Sequence, residues 1–297
     1  MKIISNKLKD IVDFFKQELK GLYDERELRS IIFIVMEEFT GYSSSQLLTN
    51  EDHTVSESTL LKINFAIKDL KEYKPLQYIL GYATFYDLKI KVTSDVMIPR
   101  PETEELVKWV IDENKYAREI KADSVPKSLK LVEIGTGSGC IAIAIKKNIP
   151  EISIKAIDIS EHALKVARKN ADLNKVEIDF FQHDIFDKNL YAFKFKIDII
   201  VSNPPYVRES EKALMSQNVL DYEPELALFV KDEQALAYYE AIAEFALLRL
   251  KPLGCIFVEI NEALALDVAE LFILKEFKKI KIKQDIHGKD RMLKISR

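Results

Sequence analysis

Apolar side chains in the first 74 residues recur at every third and fourth position. Leu8, Ile11, Val12, Phe15 and Leu19 share one helical face, and Leu28, Ile31, Ile32, Val35, Met36 and Phe39 share another. That is the spacing of amphipathic helices. A third stripe runs through Leu60, Ile63, Ile67 and Leu70. Asp24, followed three residues later by Glu27, has the form of a capping box with Asp in the Ser/Thr place and starts the second helix. Gly41-Tyr42-Ser43-Ser44-Ser45 ends it. No period-two alternation interrupts the stripes, so a small helical bundle is expected over residues 1–74.

From 75 to 101 the pattern changes. Phe85-Tyr86-Asp87-Leu88-Lys89-Ile90-Lys91-Val92 reads as an extended run, and Pro99 and Pro101 bar a helix through them, because proline lacks an N–H and crowds the residue before it. Pro101 suits the first turn of a helix, with Glu102, Glu104 and Glu105 at the positive end of its dipole. From 129 onward, apolar runs of strand length alternate with helical periods. Strands are expected at 129–134, 154–158, 178–182, 197–202 and 255–260, and helices at 140–147, 161–170, 235–250 and 263–275. Two closing strands lie at 280–283 and 292–295. Such alternation predicts an α/β fold with a doubly wound, mostly parallel sheet. The chain therefore divides into a helical domain (1–74), an extended linker (75–101) and an α/β domain (102–297).

Composition narrows the class. The chain has 297 residues, 47% hydrophobic and 31% charged, which is ordinary for a globular protein with a sizeable core. Its length suits two domains on a prior of about 150 residues each. The formal net charge is −4, and residues 1–74 hold 11 Lys/Arg against 13 Asp/Glu. Neither the chain nor its helical part attracts nucleic acid or an anionic membrane through its charge. Cys140 and Cys255 lie in apolar runs and read as buried thiols in a reducing compartment. Met1-Lys2-Ile3-Ile4-Ser5-Asn6-Lys7 lacks the apolar core and cleavage site of a signal peptide. No stretch approaches the roughly 18 consecutive apolar residues of a membrane span. A cytoplasmic protein is expected.

Candidate chemistry sits in two loops. Only 8 glycines occur, yet three of them, Gly135, Gly137 and Gly139, fall within five residues. Val132-Glu133-Ile134-Gly135-Thr136-Gly137-Ser138-Gly139 lies where a strand ends and a helix begins. Glycines there admit a ligand to the backbone and its N–H groups. A dinucleotide fingerprint would want glycine at Cys140; here the spacing is Gly-x-Gly-x-Gly, with Glu133 two residues ahead. Asp158 ends the next strand, where a carboxylate can accept both hydroxyls of a ribose. The layout resembles the S-adenosylmethionine site of class I methyltransferases, with NAD the weaker cofactor reading. The second loop, Asn203-Pro204-Pro205-Tyr206, follows the apolar strand 197–202. Its prolines remove two N–H donors and leave carbonyls free to accept. The Asn203 side-chain oxygen and the Pro204 carbonyl then suit both protons of a planar –NH2 group, holding a poorly nucleophilic nitrogen towards a methyl donor. Tyr206 is expected to cover the flat face of that group.

With both loops in hand, the chain resembles the release-factor glutamine methyltransferases of the HemK/PrmC type. Gln77-Tyr78-Ile79-Leu80-Gly81 and Ile98-Pro99-Arg100-Pro101-Glu102-Thr103-Glu104-Glu105-Leu106 resemble the linker motifs of that family. Residues 133–140, 158–160 and 203–206, Glu223-Pro224-Glu225-Leu226-Ala227-Leu228 and Val258-Glu259-Ile260 resemble its catalytic motifs. The resemblance implies a helical N-terminal domain that docks the substrate, a hairpin linker and a class I methyltransferase domain with a seven-stranded sheet containing one antiparallel strand. It implies N5-methylation of the glutamine in the Gly-Gly-Gln motif of peptide chain release factors. It also implies S-adenosylmethionine on Gly135, Thr136, Gly137, Ser138 and Gly139, with Asp158 on the ribose, Asp184 and Ile185 beside the adenine, and Asn203 near the methyl group. S-adenosylhomocysteine would be the product. Four positions depart from the family's habit: Glu133 for Asp, Ile185 for an aromatic, no glycine around Val230-Lys231-Asp232, and Asn261 for glycine.

Two alternative substrates share the planar –NH2 group: a ribosomal-protein glutamine, and the exocyclic amine of adenine in nucleic acid. A basic groove would be needed for the latter, so no direct nucleic-acid partner is expected, and no membrane or metal either. A cofactor-binding regulator without catalysis is disfavoured by the intact tetrad. His53, His162, His183 and His287 show no metal-ligand spacing. Arg100 and Glu102 suit either a linker ordered over the cofactor or a structural ion pair and helix start. Lys275-Glu276-Phe277-Lys278-Lys279 reads as a solvated helix end. A monomer is expected.

Overall fold

The computed structural model describes residues 5–120, 129–187 and 195–297; Met1 to Ile4 of the N-terminal stretch read above lie outside them. The chain forms two compact units. One takes the chain up to Gly81 together with Ser216–Tyr222, and the other takes Tyr82–Met215 and Glu223–Arg297.

The first unit contains α1 (Leu8–Leu19), α2 (Glu25–Thr40), α3 (Ser44–Thr49), α4 (Glu57–Lys71) and α5 (Leu76–Leu80). The apolar stripes are its core: Leu8, Ile11, Phe15 and Leu19 meet Ile32, Val35 and Met36 and the Ile63, Ile67 and Leu70 stripe. Burying each such side chain contributes about 1.5–3 kcal/mol. Asp24 caps α2 by accepting from the amides of Arg26 and Glu27 at 2.9 Å each. Gly41 closes α2 at φ 74°, and Ser43 opens α3 with a capping box to Gln46. The start of the expected extended linker is helical instead. Pro75 stands at the N-cap of α5 and Gly81, at φ 78°, ends it, so a single turn fits between two residues suited to helix ends.

The second unit opens with β1 (Tyr82–Phe85) and β2 (Leu88–Lys91), an antiparallel hairpin. The run read as continuously extended is thus broken at Tyr86 and Asp87, whose φ values are 50° and 60°. Two consecutive positive φ angles make the tight turn whose twist matches the strands. After α6 (Pro101–Ile120) come β3 (Lys130–Ile134), α7 (Cys140–Asn148), β4 (Ser153–Asp158), α8 (Glu161–Asn174), β5 (Asp179–Gln182), β6 (Ile197–Ser202) and β7 (Val207–Arg208). The chain next gives α9 (Gln217–Tyr222) to the first unit, and the second continues with α10 (Glu225–Leu228), β8 (Phe229–Val230), α11 (Ala237–Arg249), β9 (Leu250–Glu259), α12 (Ala265–Leu274), β10 (Lys279–Gln284) and β11 (Asp290–Ser296).

Seven strands form one sheet in the order β10-β11-β9-β6-β3-β4-β5. Only β11 runs against the rest, antiparallel to both β10 and β9. The sheet is buried on both sides, as parallel strands require. Trp109, Ile141, Ile145 and Ile154 belong to one layer, and Phe245, Ile200, Ile256 and Phe272 to the other. The order reverses between β3 and β6, so the loops leaving their carboxyl ends part to either side and open a crevice. A separate pair, β7 with β8, was not expected from the sequence.

Candidate active site

β3, β4 and β6 are neighbours in the sheet. Their carboxyl ends therefore bring together the glycine loop, Asp158 and the Asn203 tetrad. They wall a cavity of about 340 Å³, within the size range of small-molecule sites. Gly135, Thr136, Gly137, Ser138, Asp158, Asp184, Ile185, Asn203, Pro204 and Pro205 all line it. Gly139 lies behind the wall instead.

Each glycine has a positive φ, at 72°, 53° and 81° for Gly135, Gly137 and Gly139, a conformation costly for other residues. Their surroundings differ. A Cβ at Gly139 would lie 3.1 Å from Ala167 Cβ and 3.2 Å from Ile143 Cδ1, so this glycine lets α7 approach α8. A Cβ at Gly137 would meet nothing within 4 Å, and one at Gly135 only the Asn203 carbonyl oxygen at 4.0 Å. These two positions keep the cavity floor clear, and side chains there would fill it. The loop's open face suits a ligand pressed against the backbone, as S-adenosylmethionine requires.

Asp158 anchors that loop. Its Oδ2 accepts from the Gly137 amide at 2.8 Å and its Oδ1 from the Ser160 amide at 2.9 Å. Each oxygen keeps a lone pair for a further donor, so the ribose role stays open to it. Burial raises its pKa, and the amides of Ser160, Gly137 and Ile159 work against that rise. Glu133 is fully buried beneath the loop and accepts from the Thr136 hydroxyl. Its second oxygen has no well-formed hydrogen bond, and burial pushes the group up to about 8 against the Thr136 hydroxyl and the nearby Ala142 amide. Cys140 also lines the cavity, but burial pushes its thiol up to about 12, too high for a thiolate nucleophile.

Next to the tetrad lies a hydrogen-bonded cluster whose members the sequence names in separate motifs without connecting them. Asn203 Nδ2 donates to Thr103 Oγ1 at 3.1 Å, and the Thr103 hydroxyl donates to Glu259 Oε2 at 2.8 Å. The Tyr206 hydroxyl donates to Glu259 Oε1 at 2.8 Å. Tyr206 does not line the cavity, and its hydroxyl is committed to a buried carboxylate. Burial and the neighbouring Glu259 raise its pKa well above the usual value, so the phenol stays protonated. Asn261, the departure from the family's glycine, donates to the Tyr206 carbonyl at 3.3 Å and to Glu211 Oε2 at 2.9 Å. It ties the chain after the tetrad to the end of β9.

Two residues that the sequence did not single out also shape the walls. Phe186 and Tyr238, with ring centroids 4.9 Å apart, line the cavity beside Ile185, offering aromatic surface next to the position where the family's aromatic is lacking. The adjacent Ile185-Phe186 pair was the available signal for one of them. Arg100 pairs with Glu223 at 2.6 Å, while the other Glu223 oxygen accepts from the Ile98 amide at 3.1 Å. Pro99 and Pro224, each next to a member of this pair, both line the cavity. His162 and His183 line it too. Among the described residues no group of three His, Cys, Asp or Glu side chains is placed to hold a metal, and no helix is long and apolar enough to cross a membrane.

Comparison with known proteins bears on the whole chain. Two family models match: the PrmC N-terminal domain over residues 10–81 and the methyltransferase small domain over residues 117–226. A Flavobacterium psychrophilum protein named release factor glutamine methyltransferase is 44% identical over 95% of this chain and 96% of its own length. A Bacteroides thetaiotaomicron protein of the same name is 38% identical over 97% of this chain and 99% of its own. Among solved structures, a human methyltransferase 10 domain containing protein aligns with a TM-score of 0.50 at 16% identity, covering 71% of this chain and 90% of that one. That likeness is one of fold.

Proposed function

The chain belongs to the release factor glutamine methyltransferase family, and from that membership we propose that it transfers a methyl group from S-adenosylmethionine to the side-chain amide nitrogen, N5, of the glutamine in the Gly-Gly-Gln motif of peptide chain release factors. The observation that carries this reading is the juxtaposition of the Asn203 loop with the glycine loop, 4.0 Å from the Asn203 carbonyl oxygen to the Cβ position of Gly135. Acceptors for an –NH2 group and a backbone cradle for a methyl donor thus share one cavity.

Gly135 to Ser138 and Asp158 would hold the cofactor, which supplies an electrophilic methyl group when bound. Asp184 and Ile185, with Phe186 and Tyr238, would flank its base. Asn203 and Pro204 hold the two amide protons of the target, so the nitrogen is oriented towards the methyl group before reaction. The same two acceptors stabilise the positive charge that grows on nitrogen as the new bond forms. The methylated nitrogen then carries one proton too many, and an amide protonated on nitrogen is acidic enough to shed it to water unaided. No general base is required. Pro205 stiffens the loop, and Tyr206 acts from behind it through Glu259 rather than over the substrate.

The N-terminal helices supply the docking surface in this reading, supported by exposed Ile34, Leu48, Leu61 and Phe65. The cytoplasm is the compartment where such a substrate is met. The test uses tritiated cofactor with purified release factor, its Gly-Gly-Gln glutamine-to-alanine variant, ribosomal proteins and plasmid DNA in parallel. Label is expected on the intact factor alone. Label on DNA, or label that persists on the alanine variant, overturns the substrate.

A further inference from the structure

An asparagine amide fits its surroundings in two orientations of nearly equal shape, with oxygen and nitrogen exchanged. Only one of them serves the reaction proposed above, because the target nitrogen needs the Asn203 oxygen as acceptor. Something must choose. The chain of hydrogen bonds behind Asn203 does so by the direction of its protons. Glu259 is 1% exposed and lies at the end of β9. Its two oxygens receive one hydroxyl proton each, from Tyr206 and from Thr103, both at 2.8 Å. Once the Thr103 proton is spent on Glu259, its Oγ1 has only lone pairs left. A group facing those lone pairs at 3.1 Å must be a donor, which is the NH2 arm of Asn203. A flipped amide would set oxygen against oxygen and leave a polar pair unsatisfied in a buried place. Thr103 itself is 2% exposed, and it reaches the cavity wall beside Asn203, to which its hydroxyl is bonded.

We propose that Thr103, held by Glu259, is a positioning residue that fixes which arm of the Asn203 amide is presented to the substrate. This rests on the reading of Asn203 as the acceptor for the target nitrogen. Thr103 has no part in binding release factor in this account, so its removal affects turnover and spares affinity.

The test is the set Thr103→Val, Thr103→Ser and Asn203→Ala, assayed on whole release factor. Rates are normalised to the fraction of enzyme that binds S-adenosylhomocysteine in a calorimetric titration, which removes any misfolded material. Val keeps the shape and deletes both hydrogen bonds; Thr103→Ala replaces it should Val fail to fold. Val is expected to lower kcat roughly tenfold or more, with KM for release factor and the affinity for S-adenosylhomocysteine within about twofold. Ser, which restores the hydroxyl, is expected to return kcat to near the wild-type value. Wild-type kcat in the Val variant, with Asn203→Ala inactive, overturns the positioning role and leaves the function standing. Equal losses in Val and Ser, or a KM that rises as kcat falls, overturn it in favour of packing. An active Asn203→Ala enzyme refutes the reading of Asn203 itself, and the positioning role falls with it.

Discussion

Replacing Glu133 by Gln should stabilise the cofactor-free protein, and by more at high pH. Glu133 is fully buried, one of its oxygens has no well-formed hydrogen bond, and burial pushes it up to about 8 from an ordinary 4.5. Its folded pKa therefore lies above its unfolded one. Below the unfolded value both states hold the proton and the group costs nothing. As pH rises from there, the unfolded chain releases the proton while the folded one keeps it, and stability falls until pH passes the folded value. Between about pH 5.5 and about pH 8.5 the loss from this one group is about 3 kcal/mol, at about 1.36 kcal/mol per pKa unit. Gln keeps the length and can still accept from Thr136, but has no charge to lose. Urea unfolding of both proteins at the two pH values measures the effect. The advantage of Glu133→Gln over wild type should grow by about 3 kcal/mol across that interval. An advantage that stays flat with pH would refute the raised pKa and with it the account of the poorly bonded oxygen.

Asp158→Ala removes the acceptor for the Gly137 amide as well as the one offered to a ribose. Calorimetry should show affinity for S-adenosylhomocysteine falling roughly 100-fold, from two or more charge-assisted bonds of about 1.5–3 kcal/mol each before compensation, and a loss under threefold would count against it. Asn261→Gly restores the family's usual residue but deletes the bonds to the Tyr206 carbonyl, to Glu211 and to the Ala263 amide. A loss of about 1–2 kcal/mol in urea unfolding is expected, together with a several-fold lower kcat and unchanged affinity for S-adenosylhomocysteine.

Much of the fold was legible because its determinants are local. The helical stripes of α1, α2 and α4, the Asp24 cap and the alternation from 129 onward all follow from neighbours within a few residues. What was missed lacks a local period. β7 and β8 are two residues each, too short to alternate. Pro75 and Gly81 fall within the expected linker, although together they frame a single turn. β9 begins at Leu250, five residues before the expected start, because Pro252 speaks against a central strand. The structure accommodates it in an irregularity, where β9 advances from Leu250 to Cys255 while β6 advances only from Ile197 to Ile199. Proline there forfeits no regular ladder bond.

The candidate site divides along the same line. The glycine loop, Asp158 and the Asn203 tetrad are each short motifs at a strand end, and the strand order alone brings them to one crevice. Their support is another matter. Thr103 lies 100 residues from Asn203 and 156 from Glu259, and no periodicity or spacing connects positions so far apart. Tyr206 shows the consequence: its place in the motif suggested a cover for the substrate, yet the buried carboxylate at the end of β9 captures its hydroxyl. A poorly nucleophilic amide nitrogen makes that arrangement necessary. In the proposed reaction two acceptors on a loop would hold it well only if neither could turn, and a loop of prolines fixes the backbone carbonyl but not the asparagine side chain. The side chain must be fixed from behind, by elements the sheet delivers to that spot, which here are the start of α6 and the end of β9.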